Sequence, residues 1–510
     1  MQQIKPATAA PKNWNLPIIL AALLLTLPIY FRGVKGFDFI THIVFSRNFA
    51  AQFWQGDFFP RWLVNENLGF GAPSLMYYPS LQYYITALFA PLNLLDNYFS
   101  LPQGYLAACA TSVVIMACAA LAMNKYLKTH TTPANAALLA IFYLTAPYFY
   151  SVDLFMRFAL PEMCGFIFMP LCLYYSEKNK TAKLAFGYAG LLLTHLLTAG
   201  IFTPVLVLKV ILERNYKMLF ALPLGVLLAA YYLLPALSNH DLVSFQLTAG
   251  IYNYGRNFLD NGSQTYYLLA AGLTLFVSIF ALIPKPRQSY FWLLILCGSV
   301  FMALSYSKFI WELLTPLALL SFPWRFLSIA SLATTMIMAQ YNSRFIIGSL
   351  IGVNLCFSLL AIFVHFGSGE VYLQNNMITI DDYRTKWTDQ SLFVTGDSRD
   401  PSHLQKQSFR GVSVRRLARK LIVASANSGW TTIPHFYFPN WHGEYQIRPQ
   451  AHTGFIEIYF PHSGTTELYF TRNSEEKLGF IITALTLLGI LFARRRKAVI
   501  DLAGKQNNRP

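Results

Sequence analysis

The chain has 510 residues, of which 55% are apolar and 12% are charged, against about 25% charged residues in ordinary soluble domains. This composition excludes a soluble globular protein. The net charge of +16 does not indicate nucleic-acid binding, because the Lys and Arg residues gather in short connections between apolar runs. We expect an α-helical polytopic protein of the bacterial inner membrane, surrounded by membrane lipids and without a nucleic-acid partner.

Apolar runs long enough to cross a bilayer recur along the chain. We predict about 12 spans, at residues 16–31, 104–123, 134–150, 158–175, 184–199, 200–212, 218–236, 264–283, 290–306, 325–341, 345–366 and 477–493. If the N-terminus lies inside, every inside connection carries Lys or Arg, which predicts two cytoplasmic termini. Residues 80–95 and 307–324 are short or interrupted by Pro, so we expect them to be interfacial or re-entrant.

The predicted organisation has three parts. Residues 1–366 form a transmembrane domain with a large first outer loop at 32–103, and residues 477–510 form a final helix with a basic cytoplasmic tail. Between them, residues 367–476 contain alternating runs such as GFIEIYF and TTELYF, which predict a mostly β, sandwich-like domain on the periplasmic or extracellular side. All six cysteines lie in apolar runs, so neither a disulfide framework nor a zinc site is predicted.

Ionisable residues outside the basic connections gather at the predicted outer ends of the spans. The set comprises Asp38, His42, Asp153, Arg157, Glu162, His195 and Arg325. Charges near a membrane span are costly and mark functional positions. Because transporters place such groups at mid-depth in broken helices, the position of this set favours a reaction at the membrane surface.

Each of these residues also has a structural interpretation. The alternatives are a helix cap for Asp38, a packed or hydrogen-bonded ring for His42 and His195, a structural ion pair for Arg157 with Glu162, and a lipid headgroup contact for Arg325. The aromatic residues of the first outer loop have two interpretations as well, an interfacial belt or a platform for sugars.

Four sequence blocks resemble the polytopic GT-C superfamily of glycosyltransferases, nearest to the bacterial membrane family called 6-pyruvoyl-tetrahydropterin synthase-related or YfhO-like. The blocks are Asp38 and His42 leading into GDFFPRWLVNENLGFGAPSLMYYPSLQYY, DLFMRFALPE at 153–162, FPWRF at 322–326, and YFPNWHGEY at 437–445. The resemblance implies a GT-C-like fold and an inverting glycosyltransferase with its active site on the outer side. The donor would be a polyprenyl-phosphate-linked sugar, and the acceptor a glycan, lipid or protein.

The resemblance also implies roles for individual residues. The superfamily keeps its catalytic carboxylate in the first outer loop, so Asp38 would be the general base, with His42 and Glu162 in support. A base and cations that steady a leaving phosphate are what such a transfer requires. The predicted substrate-binding residues are Arg157, Arg325, His195, Asp153, Trp62, Tyr77 and Tyr78, the arginines for phosphate and the aromatic rings for sugar faces.

One departure from the superfamily concerns metal binding. Many members carry two acids as D/E-x-D/E in the first outer loop, whereas Phe39 and Ile40 follow Asp38 here. We therefore predict no metal site and no cofactor. Two rival functions stay open on the sequence: a non-catalytic protein of envelope assembly, and a translocase of lipid-linked sugars.

Overall fold

A computed structural model of the chain describes residues 13–32, 38–244, 254–261, 273, 289–340, 343–366, 383–388 and 409–506. Most of these residues are helical. The α-helices are α1 (Asn15–Arg32), α2 (Phe39–Trp54), α3 (Ser74–Tyr77), α4 (Leu81–Leu88), α5 (Asn93–Tyr98), α6 (Tyr105–Leu127), α7 (Pro133–Leu144), α8 (Leu160–Glu177), α9 (Thr181–Thr194), α10 (Leu196–Leu212), α11 (Ala221–Leu228), α12 (Ala230–Ser238), α13 (Ser289–Ala303), α14 (Lys308–Leu313), α15 (Leu327–Met338), α16 (Arg344–Phe366) and α17 (Ser474–Gln506).

The apolar helices identify an integral membrane protein. Within the described residues, four helical segments are long and apolar enough to cross a bilayer: Tyr105–Leu127, Pro133–Arg157, Arg344–Phe363 and Ser474–Arg496. Two sharply bent helix pairs raise the number to six if each pair is one span. The expected number of about 12 spans therefore stays a prediction, and the predicted span 264–283 lies outside the described residues apart from residue 273.

Several predicted spans are interrupted, and the interruptions shape the site. The predicted span 218–236 consists of two helical pieces, Tyr216–Leu228 and Ala230–Ser238, bent by 67°. The span predicted at 134–150 ends as an α-helix at Leu144 and continues as a π-helix, Tyr148–Arg157. Such wide turns are rare and occur most often at functional sites.

The strands lie mainly near the C-terminus. They are β1 (Val243–Ser244), β2 (Arg384–Thr385), β3 (Val412–Leu417), β4 (Lys420–Ser425), β5 (Gly429–Phe436), β6 (Trp441–Gly443), β7 (Ile447–Pro449), β8 (Phe455–Phe460) and β9 (Gly464–Phe470). One antiparallel sheet has the order β3-β4-β9-β6, and a second has the order β5-β8-β7. Leu421 and Leu468 of the first sheet share one buried cluster with Ile433 and Ile458 of the second, which is sheet-on-sheet packing.

Residues of the segment predicted as the first outer loop complete the core of this β region. Trp62 and Phe70 belong to the same buried cluster as the sheets, and the indole nitrogen of Trp62 donates to Nε2 of His435 at 2.9 Å. The Gln52 amide nitrogen donates to the carbonyls of both Trp62 and Ala418, at 2.9 Å each. The β region is therefore docked on the loop that follows Asp38.

Candidate functional site

Arg157 is the centre of a buried ionic cluster. It ends the π-helix Tyr148–Arg157 and bonds the carboxylate of Asp153, one turn earlier, at 2.9 Å. The same guanidinium contacts Glu162 at 2.7 Å and Asp38 at 2.8 Å. One arginine thus joins three carboxylates from three segments of the chain.

Local structure brings Arg157 and Glu162 together. Phe158 adopts a left-handed backbone conformation (φ 58°) that ends the π-helix, and α8 begins two residues later with Pro161 in its first turn. Proline suits this position because its missing N–H would have no helical partner there. Glu162 follows directly, so the sharp corner folds its carboxylate back onto Arg157.

Asp38 stands immediately before α2, at the position where a capping residue is found. Its side chain makes no capping hydrogen bond and instead accepts from Nη2 of Arg157. Its side chain is 28% exposed, whereas those of Asp153 and Glu162 are 0% and 1% exposed. The helix-cap interpretation of Asp38 is therefore wrong, and Asp38 is the accessible acid of the cluster.

Arg325 joins the cluster from a second corner. It lies in a short 3₁₀-helix, Pro323–Phe326, that leads into α15, and its Nε is 3.5 Å from a carboxylate oxygen of Glu162. Its Nη1 donates to the carbonyl of Leu320 at 2.7 Å. Arg325 is thus held by one carboxylate and one carbonyl, while Arg157 is held by three carboxylates.

Two aromatic residues that were not singled out in the sequence complete this part of the site. The Tyr148 hydroxyl donates to Glu162 at 2.6 Å, and the Trp324 ring lies 4.9 Å from the Arg157 guanidinium carbon. An arginine over a tryptophan face is a favourable cation–π contact. Trp324 lies inside the FPWRF block, which was the available signal; nothing in the sequence around Tyr148 identified its role.

His42 and Tyr78 line the site next to Asp38. His42 Nδ1 is 3.0 Å from the Tyr83 hydroxyl, and its ring centroid is 6.0 Å from that of Tyr78. Burial lowers the pKa of His42 to about 4, opposed by the nearby Asp38 carboxylate, so the ring is neutral at pH 7. Burial also raises the pKa of Tyr78, with Asp38 acting in the same direction, which keeps its hydroxyl protonated.

His195 marks the break between α9 and α10. Its extended backbone (φ −152°, ψ 102°) ends one helix, and its Nδ1 accepts from the backbone N–H of Thr198 at 3.3 Å at the start of the next. Its ring is within electrostatic range of Glu162 and Arg325. His195 therefore caps α10 close to the ionic cluster.

Trp62 and Tyr77 do not lie in the ionic cluster. Trp62 is 1% exposed within the core of the β region, and the Tyr77 hydroxyl donates to the carbonyl of Asn239 at 2.6 Å while its ring stacks on Tyr383. A ring needs an open face to stack on a sugar. The predicted role of these two residues as sugar platforms does not fit, because both rings are already packed between the loop and its neighbours.

A large apolar groove adjoins the ionic cluster. Its volume is about 830 Å³, and its lining is aliphatic and aromatic except for Ser299. Leu320, which accepts from Arg325, lines the groove together with Phe326, the residue after Arg325. A charged site is thus placed at the border of a space suited to hydrocarbon.

The described residues hold no group of three or more His, Cys, Asp or Glu side chains arranged for a metal ion. The three carboxylates at Arg157 surround a guanidinium. Their electrostatic partners in this cluster are arginines, Arg157 for all three and Arg325 for Glu162 as well.

Comparisons with known proteins give little to set beside this site. No protein-family profile matches the chain, and no curated protein matches it. Among solved structures, the crystal structure of ArnT from Cupriavidus metallidurans bound to undecaprenyl phosphate is similar, with 16% sequence identity and a TM-score of 0.43 over 72% of this chain and 68% of that chain. What this chain does is therefore inferred from its own residues.

Proposed function

We propose that the chain is an inverting membrane glycosyltransferase of the GT-C type, which moves a sugar from a polyprenyl-phosphate-linked donor to an acceptor at the outer face of the membrane. The observation that supports this most is one ionic cluster beside an apolar groove, in which the accessible carboxylate of Asp38 and the guanidinium of Arg325 are joined through Arg157 and Glu162. Sugar transfer from a lipid-linked phosphate donor requires three features in one site: a base, a cation and a surface that binds hydrocarbon.

Arg325 is the proposed contact for the donor phosphate. Its planar guanidinium suits two phosphate oxygens at once, and its charge is compensated by fewer carboxylates than that of Arg157. The groove beside it, with Leu320 and Phe326 in its wall, would take the polyprenyl chain. Arg157 was predicted to bind phosphate as well, but its three carboxylate partners favour a positioning role instead.

Asp38 is the proposed general base. It would accept the proton of the acceptor hydroxyl as that oxygen bonds to the anomeric carbon, while the bond from that carbon to the phosphate oxygen breaks. The polyprenyl phosphate leaves with the electron pair, and Arg325 stabilises its charge. Arg157 would orient Asp38 through their ion pair, and Glu162 would orient Arg157 and Arg325 in the same way.

His42 and Tyr78 would form the wall against which the sugar and the acceptor lie. Neutral His42 adds no positive charge beside Asp38, and a protonated Tyr78 can donate a hydrogen bond to a sugar oxygen. Of the aromatic residues predicted to contact the sugar, Tyr78 is thus the one proposed here. His195 and Asp153 would shape the electrostatics of the cluster from its buried side.

The reaction itself can be tested with purified protein in liposomes that contain a radiolabelled polyprenyl-phosphate sugar and cell-envelope glycans as acceptors. We expect the label to pass to the acceptor and free polyprenyl phosphate to accumulate. Transfer of intact labelled lipid across the bilayer would support the translocase instead. Unchanged lipid-linked intermediates and surface glycans in cells without the gene would support the assembly protein.

The proposed orientation places Asp38 and the β region outside, and both termini in the cytoplasm. Three exposed residues can carry the test as single cysteines in a cysteine-free chain: Gln55, His442 and Lys180. Impermeant reagents added to intact cells should label cysteines at Gln55 and His442. Labelling at Lys180 from outside would contradict the orientation.

A further inference from the structure

The three-stranded sheet of the β region presents an aromatic pair on its outer face. Trp430 of β5 lies directly opposite Tyr459 of β8, and their ring centroids are 5.6 Å apart at 64°. The two residues are 40% and 44% exposed. Each ring therefore keeps part of its surface open to solvent on this face of the sheet.

Charged and polar groups are fixed beside the aromatic pair. The Arg448 guanidinium carbon lies 3.8 Å from the centroid of the Trp430 ring, and its Nε is 2.7 Å from the carboxylate of Glu457. The hydroxyl of Thr432 donates to the other oxygen of Glu457 at 3.4 Å. These contacts hold an indole ring, a guanidinium and a carboxylate in a defined arrangement at the surface.

A cavity of about 350 Å³ opens at the same place, at the lower end of the roughly 300–1,000 Å³ of typical small-ligand sites. Its lining is mostly polar, with Phe409 and Val412 as apolar residues besides Trp430. The polar lining residues are Arg410, Asn427, Thr431, Thr432, Gln450 and Thr453. Gln450 is bonded through its Oε1 to the backbone N–H of Thr453 at 3.2 Å, which fixes the far wall.

The chemistry of this lining fits one class of ligand. A saccharide has a C–H face that packs on an aromatic ring and a rim of hydroxyls that exchange hydrogen bonds with amides and hydroxyls. A hydrocarbon chain would leave these polar groups without partners, at a cost for each. Arg410 is the charged residue of the lining, and its guanidinium can donate hydrogen bonds to sugar hydroxyls as well.

We infer that the cavity beside Trp430 is a saccharide-binding site that holds the glycan part of the acceptor. The inference rests on the proposed function only where it identifies the saccharide as the acceptor. The binding site itself is defined by its own contacts. Trp430 would provide the stacking surface, and the hydroxyls of Thr431 and Thr432 would contact the sugar rim. The β region would thereby present the acceptor to the transfer site on the docked loop.

The test measures binding of the full-length protein in detergent to an array of neutral hexose and N-acetylhexosamine oligosaccharides, followed by calorimetry with the best ligand. We expect the Trp430→Ala variant to bind at least tenfold more weakly and Trp430→Phe to keep part of the affinity. Thr432→Val, which keeps the shape and removes the hydroxyl, should weaken binding by a smaller factor. If Trp430→Ala fails to fold, the affinity of the Thr432→Val variant decides whether the site binds the saccharide.

Tyr469 provides a matched control on the other sheet. It is 46% exposed, with Lys420 5.3 Å from its ring centroid and an ion pair between Lys420 and Glu467. Tyr469→Ala should bind the oligosaccharide as the unchanged protein does. The site would be overturned if the Trp430→Ala and Thr432→Val variants bound the oligosaccharide as tightly as the unchanged protein. It would also be overturned if the unchanged protein bound no oligosaccharide. Neither result depends on transfer activity.

Discussion

Nη2 of Arg157 lies 2.8 Å from Oδ2 of Asp38, across 119 positions of sequence. This contact ties the start of α2 to the end of the π-helix, so the accessible carboxylate is oriented by a buried arginine. Because the same arginine also bonds Asp153 and Glu162, the position of Asp38 depends on the whole cluster.

Replacement of Arg157 by Gln should destabilise the protein severely. The change leaves the carboxylates of Asp153 and Glu162 buried without their shared cation, and breaking a buried ion pair in this way costs about 3–5 kcal/mol. Thermal unfolding in detergent measures the effect. The control is Arg415→Gln on the exposed face of β3, which should melt as the unchanged protein does. Equal melting of both variants would contradict the central place of Arg157.

Replacement of Arg325 by Ala should weaken donor binding roughly tenfold or more. A hydrogen bond to a charged group contributes about 1.5–3 kcal/mol, which this variant removes from the proposed phosphate contact. Affinity for a polyprenyl-phosphate sugar is the readout. Arg344→Ala, an exposed arginine at the start of α16, is the control. Unchanged affinity in Arg325→Ala, with unchanged melting, would remove Arg325 from the phosphate site.

The groove can be filled without disturbing its walls. Gly298 lines it, and a Cβ added there would meet nothing within 4 Å. Gly298→Phe should therefore weaken binding of a long-chain donor while sparing a short-chain analogue that keeps the phosphate and the sugar. Gly348 has the same open surroundings without lining the groove, so Gly348→Phe is the control. A Gly298→Phe variant with full affinity for the long-chain donor would argue against a lipid chain in this groove.

Two glycines of the predicted first outer loop distinguish the effect of backbone strain from the effect of close packing. Gly71 (φ 81°) and Gly56 (φ 93°) both have left-handed backbones, but only a Cβ at Gly71 would collide, at 2.4 Å from the indole nitrogen of Trp62 and 2.7 Å from the ring of His435. Gly71→Ala should therefore lower the melting temperature more than Gly56→Ala. It should also expose the loop to proteases, because the bond between Trp62 and His435 joins the loop to the β region. Equal effects would show that this packing is unimportant.

The sequence predicted a mostly helical chain with a β-rich region near its C-terminus, and it singled out Asp38, Glu162 and Arg325, which the structure brings into one cluster. It could not predict which residues bond each other. Spacing along a helix identifies a pair such as Asp153 with Arg157, four residues apart. The contact of Arg157 with Asp38 depends on how separate helices pack, and no local pattern encodes it.

The aromatic residues of the predicted first outer loop show a second limit of prediction from sequence. The composition of the loop fits a ligand platform, a membrane belt or a buried interface equally well. The structure places Trp62 and Phe70 in the core of the β region, so the third interpretation, which the sequence did not suggest, describes them best. Tyr78, in the same loop and next to Tyr77, instead lies beside His42 in the site.

The transfer rate of a purified Asp38→Asn variant tests the central claim most directly. Asn keeps the shape of the side chain and can still accept from Arg157, but it cannot take a proton, so melting should be unchanged. General-base catalysis contributes about 10²- to 10⁴-fold, or roughly 3–5.5 kcal/mol of barrier, and the rate should fall by that factor. Asp241→Asn, an exposed acid between α12 and β1, should keep the full rate. A folded Asp38→Asn protein that transfers sugar at a near-normal rate would contradict the account.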